Sequence, residues 1–86
     1  MSSYQLSLLT PNGKIFDGQA DYVQAPGTEG YFGVLNKHTP FVTTLKAGIV
    51  EIRHDNIAKK YSVSSGILEV DKTSKVLILA DSVQEL

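Results

Sequence analysis

The side chains able to do chemistry in this chain are few, and their spacing suits it poorly. The histidines are His38 and His54. No second ligand stands two or four residues from His38, and no H-E-x-x-H pattern occurs, so a zinc site lacks its usual spacing. His54 is followed by Asp55, but "HDN" falls between two strand-like runs and reads more simply as a turn. Serines are plentiful. Yet "SSGIL", from Ser64 to Leu68, is not a G-x-S-x-G elbow, and no helical pattern follows it. Ser64-Ser65-Gly66 reads instead as a bulge or tight bend. The carboxylates on offer for acid–base work are Glu29, Glu51 and Glu69, and the last two fall on the polar faces of strands. "GTEGYFG", with Gly27, Gly30 and Gly33, imitates a phosphate loop but lacks G-x-x-x-x-G-K-[ST] and leads into no helix N-terminus. No catalytic residue, metal ligand set or cofactor site is expected.

The elements that would have to position such groups are strands. The dominant hydrophobic period is two. Tyr4, Leu6 and Leu8 share one face of the first run. Val50 and Ile52 oppose Glu51 and Arg53; Tyr61 and Val63 oppose Ser62 and Ser64; Leu68 and Val70 oppose Ile67 and Glu69. "FVTTLKA" has Phe41 and Leu45 at helical spacing, but its two threonines and valine favour a strand. The tail "DSVQEL" is too short for a stable helix. Turn signals separate the runs: Pro11 to Gly13, Asp17-Gly18, Pro26 to Gly30, Gly48, His54 to Asn56, and Asp71 to Ser74. Short strands at such close spacing predict an all-β antiparallel sandwich or barrel. "VLILA", Val76 to Ala80, is apolar on both faces. It is either a core strand or one whose outer face, Leu77 and Leu79, marks an interface.

Length and charge narrow the function classes. The chain has 86 residues, enough for one domain spanning 1–86. Eight Lys and Arg stand against nine Asp and Glu, for a net charge of -1. Nucleic-acid binding needs clustered positive charge, as does docking on anionic lipid, so neither is expected. Cysteine is absent, which excludes disulfides and thiolate metal sites. No apolar run approaches the roughly 20 residues of a membrane-spanning helix, so no direct membrane insertion is expected. The residues alone thus describe a small binding or scaffold domain. A sugar- or peptide-binding module and a small hydrolase are the competing classes. The first lacks tryptophan and offers only Tyr31 and Phe32 in a turn; the second lacks a nucleophile–base pair.

The order of motifs adds more than any one of them. "YQLSLLTPNGKIFDG", "VQAPGTEGYFGVLNKHTPFVTTLKAGIVEI", "SSGILEV" and "VLILAD" follow one another from Tyr4 to Asp81. The linked pattern G-x-E-G-x-x-G-V-L-x-x-H-x-P, from Gly27 to Pro40, is its most specific part. In this the chain resembles the epsilon subunit of F-type ATP synthases. The resemblance implies a flattened sandwich of about ten short strands, the N-terminal domain of that subunit. It implies a non-catalytic rotor part of the central stalk, linking the gamma subunit to the polar loops of the membrane c-ring during ATP synthesis. The place implied is peripheral, on the cytoplasmic face of a bacterial inner membrane. Thr28, Glu29, Gly30 and Tyr31 match the loop that faces the c-ring. Thr10, His38 and Thr43 match the gamma-facing side, where His38 would hold a loop and Pro40 would fix its exit. A tyrosine at 31 favours packing over a charge contact. The C-terminal helical hairpin usual in the family, with its inhibitory role, is not expected here, since the sequence stops at Leu86.

Overall fold

A computed structural model describes residues 3–86. Ten strands follow in order: β1 (Tyr4–Thr10), β2 (Gly13–Ala20), β3 (Tyr22–Gly27), β4 (Gly30–Val34), β5 (Phe41–Leu45), β6 (Gly48–His54), β7 (Ile57–Val63), β8 (Gly66–Val70), β9 (Val76–Ala80) and β10 (Val83–Glu85). There is no helix among the described residues. "FVTTLKA" is a strand through Leu45, and the tail supplies β10.

One continuous sheet folds over on itself, in the order β10-β7-β6-β3-β5-β8-β9-β1-β2, with β4 on β3. Val23 and Gln24 pair with both β4 and β6, so those two strands take opposite edges of β3. The two halves join at a single register pair, Gly27 with Leu45, and at the Lys46 N–H, which donates to the Pro26 carbonyl at 2.9 Å. Beyond that corner β4, β3, β6, β7 and β10 form one layer, and β5, β8, β9, β1 and β2 the other. Every pairing is antiparallel except β1 with β9, which runs parallel from Leu6–Val76 to Leu9–Leu79.

The core lies between the layers, and the residues that the period-two pattern singles out make up most of it, joined by Val23, Val34, Val76 and Ile78. Leu6, Leu8, Leu68, Val70, Val76 and Ile78 come from one layer; Val23, Val34, Val50, Ile52, Tyr61 and Val63 come from the other. Each large apolar side chain buried here contributes roughly 1.5–3 kcal/mol. Tyr4 is also inside, with its hydroxyl donating to the Val34 carbonyl at 2.6 Å and so tying the layers together. Burial raises its pKa well above the ordinary phenol value.

The turn expectations hold with one correction. Pro11-Asn12, Thr28-Glu29 and Asp55-Asn56 are two-residue connections between paired strands. Asp55 and Asn56 both take positive φ, 52° and 66°, as a primed hairpin turn demands. Asp17-Gly18, by contrast, is not a turn. Both residues sit inside β2, and Asp17 pairs with Ser7. Three donors hold the Asp17 carboxylate in the strand: Gln5 Nε2 at 2.7 Å, Ser7 Oγ at 2.9 Å and Lys14 Nζ at 2.9 Å. The chain reverses later, at Asp21, whose backbone N–H donates to the Arg53 carbonyl. Ser64-Ser65 is the expected bend. Gly66 follows it because any Cβ there would collide with the Leu79 carbonyl oxygen.

Candidate functional site

The residues singled out in the sequence fall into three places. Thr28 and Glu29 form the exposed tip of the β3–β4 hairpin, and Gly30 leaves it with φ of 128°. Tyr31 does not point freely outward with them. It lies over the start of β6, where its hydroxyl accepts the Ile49 N–H at 2.9 Å. Thr43 is half-buried on the inward face of β5, with Phe41 and Leu45, and lines a hollow with residues Gly27 to Phe32. The structure therefore brings Thr43 to the hairpin tip.

His38 lies in the loop between β4 and β5. Its N–H donates to the Leu35 carbonyl, and Nδ1 stands 2.7 Å from the Thr39 carbonyl oxygen, so that nitrogen carries the proton of this contact. The ring packs on Phe41, with centroids 4.8 Å apart, and Phe41 meets Phe32 edge-on at 5.9 Å. Lys37, at φ 64°, makes the preceding reversal. These contacts fit a residue that fixes a loop. Thr10 is elsewhere. Its hydroxyl accepts the Asn12 N–H and donates to the Gly13 carbonyl, closing the β1–β2 turn. The register Phe41–Val70–Val76–Leu6 puts His38 at the Leu6 end of its layer, and Thr10 lies four residues further on, about 13 Å along the strand. Thr10, His38 and Thr43 do not form one contiguous cluster.

Two further polar groupings lie elsewhere. Asp21 sits between two elements that the sequence did not connect. Its carboxylate accepts the Asp55 N–H at 3.0 Å and lies 3.3 Å from His54 Nδ1, while His54 Nε2 is 3.3 Å from Asp55. The Asp55 amide above all, and then His54, hold the Asp21 carboxyl below its ordinary range. Three potential metal-ligating groups thus meet here, Asp21, His54 and Asp55. The cluster clips the β6–β7 hairpin to the β2–β3 bend. Ser65 Oγ donates to Asp81 at 2.6 Å, with no histidine beside it to act as base.

A further feature is only half visible in the sequence. The two layers present unlike outer faces. On β5, β8, β9 and β1 the outward rows read Val42–Glu69–Leu77–Ser7 and Thr44–Ile67–Leu79–Leu9. Val42 is 65% exposed, Ile67 44% and Leu79 45%. This is the apolar outer face that "VLILA" left open: Val76, Ile78 and Ala80 are core, and Leu79 is not. On β3, β6 and β7 the outward rows read Gln24–Glu51–Lys60, Tyr22–Arg53–Ala58 and Ile49–Ser62, with Arg53 paired to Glu51 and stacked over Tyr22 at 5.2 Å. The signal for the apolar face was present in the phase of Val42 and Ile67, which oppose core positions yet are not polar.

The chain is thus a two-layer β domain with one apolar outer face, one polar outer face and a braced hairpin at one end. Residues 3–85 match the family described as ATP synthase, Delta/Epsilon chain, beta-sandwich domain, and the chain belongs to that family. Its curated relatives are ATP synthase epsilon chains. That of Sulfurimonas denitrificans is 42% identical over 82 residues, spanning 94% of this chain and 62% of the relative. That of Caulobacter vibrioides is 36% identical over 84 residues, spanning 98% of both. This chain thus covers under two thirds of the first relative and nearly all of the second. Among solved structures, a chain of the Euglena gracilis mitochondrial ATP synthase, solved as OSCP, F1 and c-ring, superposes with a TM-score of 0.92 at 24% identity, over 99% of this chain and 54% of that one. A chain of the Tetrahymena thermophila central stalk and c-ring gives 0.82 at 17% identity, over 96% and 66%. Both share the fold.

Proposed function

We propose that this chain is a non-catalytic part of the central stalk of an F-type ATP synthase, carried by the gamma subunit and resting on the polar loops of the c-ring. The outward apolar face carries this reading. A face with Val42, Ile67 and Leu79 each more than two-fifths exposed costs solubility unless a partner covers it. A rotor part must be held firmly, and a stable interface of about 1,600 Å² accommodates a face of this kind. Gamma covers Leu9, Val42, Ile67, Leu77 and Leu79, with Thr10 at the margin of the same layer. His38 supports this layer from its far end through Phe41. The hairpin tip, Thr28 and Glu29, meets the ring, with Gly30 and Tyr31 behind it. The working place is peripheral, on the cytoplasmic face of a bacterial inner membrane, without an active site of its own.

Co-expression with the gamma subunit of the same ATP synthase tests the reading. A complex that survives gel filtration is expected, with the apolar face protected from amide exchange. Elution of the two proteins apart, or protection confined to the polar face of β3, β6 and β7, would reject it.

A further inference from the structure

We infer that Tyr31 is a positioning residue whose hydroxyl bolts the β3–β4 hairpin to β6, so that Thr28 and Glu29 are presented as a rigid tip. The inference deepens the proposal that this tip faces the ring and rests on it for its functional meaning.

The hairpin needs such a bolt. β4 pairs with β3 alone and leaves its other edge open. β3 in turn is paired to β6 only from Tyr22 to Gln24, and meets the end of β5 only at Gly27 and through the Lys46 N–H, which donates to the Pro26 carbonyl. Between them lie Ala25 and Pro26, and proline brings no N–H to any ladder. A hairpin attached this way has one short ladder and one corner to hold it, and neither ties its tip to the start of β6. Tyr31, opposite Pro26 in the hairpin register, crosses the gap. Its hydroxyl takes the Ile49 N–H at 2.9 Å. Pairing of β6 with β3 starts only at Glu51, so that amide has no ladder acceptor on this edge. A buried or half-buried backbone N–H calls for a partner, and here a side chain of the hairpin supplies it. Gly48 makes the crossing fit: a Cβ at that position would lie 2.7 Å from both the Tyr31 hydroxyl and Pro26 Cβ. On the other face of β4, Phe32 leans on Phe41 and Phe41 on His38. The hairpin is held from both sides, and only the Tyr31 bolt can be removed without opening the core.

Tyr31→Phe keeps the ring and deletes the bond. In the isolated 86-residue protein, amide exchange at Ile49 and through Thr28 to Gly30 should rise roughly 3- to 10-fold, the range one net hydrogen bond supports. Exchange at Leu68 and Ile78 should stay at the parent rate. Gly48→Ala, which crowds the hydroxyl out, should give the same local pattern. Unchanged exchange at Ile49 in Tyr31→Phe overturns the inference, as does an equal rise at Leu68 and Ile78. In the assembled ATP synthase, a cysteine at Glu29 should cross-link to the polar loop of the ring, and adding Tyr31→Phe should slow that reaction by a similar factor. An equal rate overturns the positioning role. If the cysteine at Glu29 fails to cross-link with Tyr31 intact, the ring-facing orientation is what fails, and the exchange measurement still decides the bolt.

Discussion

The two outer faces of the sandwich are built on equally well-buried inner faces, yet they carry opposite chemistry. On β3, β6 and β7 the outward rows Gln24–Glu51–Lys60 and Tyr22–Arg53–Ala58 each contain a charge, while Ile49–Ser62 contains none, and Glu51 has Lys60 directly across the ladder. On β5, β8, β9 and β1 the outward rows hold Val42, Ile67, Leu77, Leu79 and Leu9 against a single charged residue, Glu69. Folding requires only the inward half of each strand. The outward half is free to record what the protein meets, and on the proposed reading one layer records water and the other a partner.

The largest effect should come from inside, where the two layers are alike. Leu68 is fully buried, and Leu68→Ala should cost about 2–5 kcal/mol, read from urea unfolding. A cost under 1 kcal/mol would mean the layers pack more loosely than their burial implies. Next in size is the outer apolar face. Ile67→Asp should leave the melting temperature within a few degrees of the parent and weaken gamma association by about 100-fold, since a charge must then be desolvated against an apolar surface. Lys60→Asp, on the polar face, should change gamma association less than about threefold. Equal losses from both variants, measured by the same binding titration, would erase the distinction between the faces.

A smaller effect concerns acid. Asp21 is held below its ordinary range chiefly by the Asp55 amide and by His54, and Asp17 chiefly by the Lys14 ammonium and Ser7 hydroxyl. A depressed carboxyl pKa contributes stability that is fully present above the unfolded value near 4 and is lost as pH falls through the folded one. Melting temperature should therefore decline below about pH 4, and Asp21→Asn should flatten the decline. An identical pH profile in Asp21→Asn would show that the clip between β2–β3 and β6–β7 contributes nothing.

The inward faces were legible because alternation is a local property. Tyr4, Leu6, Leu8, Val50, Ile52, Tyr61, Val63, Leu68 and Val70 could be assigned from their phase alone. The outward faces were less so. Phase says that Ile67 points away from the core, but not whether water or a partner lies there. Asp17-Gly18 misled because a turn dipeptide can be held in a strand by donors on the neighbouring strand, Gln5 and Ser7, which local reading cannot see. Asp21 with His54, Tyr31 with Ile49 and Tyr4 with Val34 are contacts between distant positions and left no local trace. The ring-facing and gamma-facing residues came from resemblance, since no residue type at Thr10, Thr28 or Thr43 announces a partner.

The parallel pairing of β1 with β9 also bears on how the chain comes into being. Positions 6 and 76 are neighbours in the finished sheet, so the first strand of the domain is flanked on one side by its ninth. During synthesis β1 can pair with β2 through their short turn, but its other edge stays bare until β9 emerges. Long sequence separation slows such closure, and an uncovered strand edge invites pairing with other chains. The domain therefore stays an open sheet until Val76 to Ala80 has emerged, and a chain interrupted before Val76 would be left with that β1 edge bare.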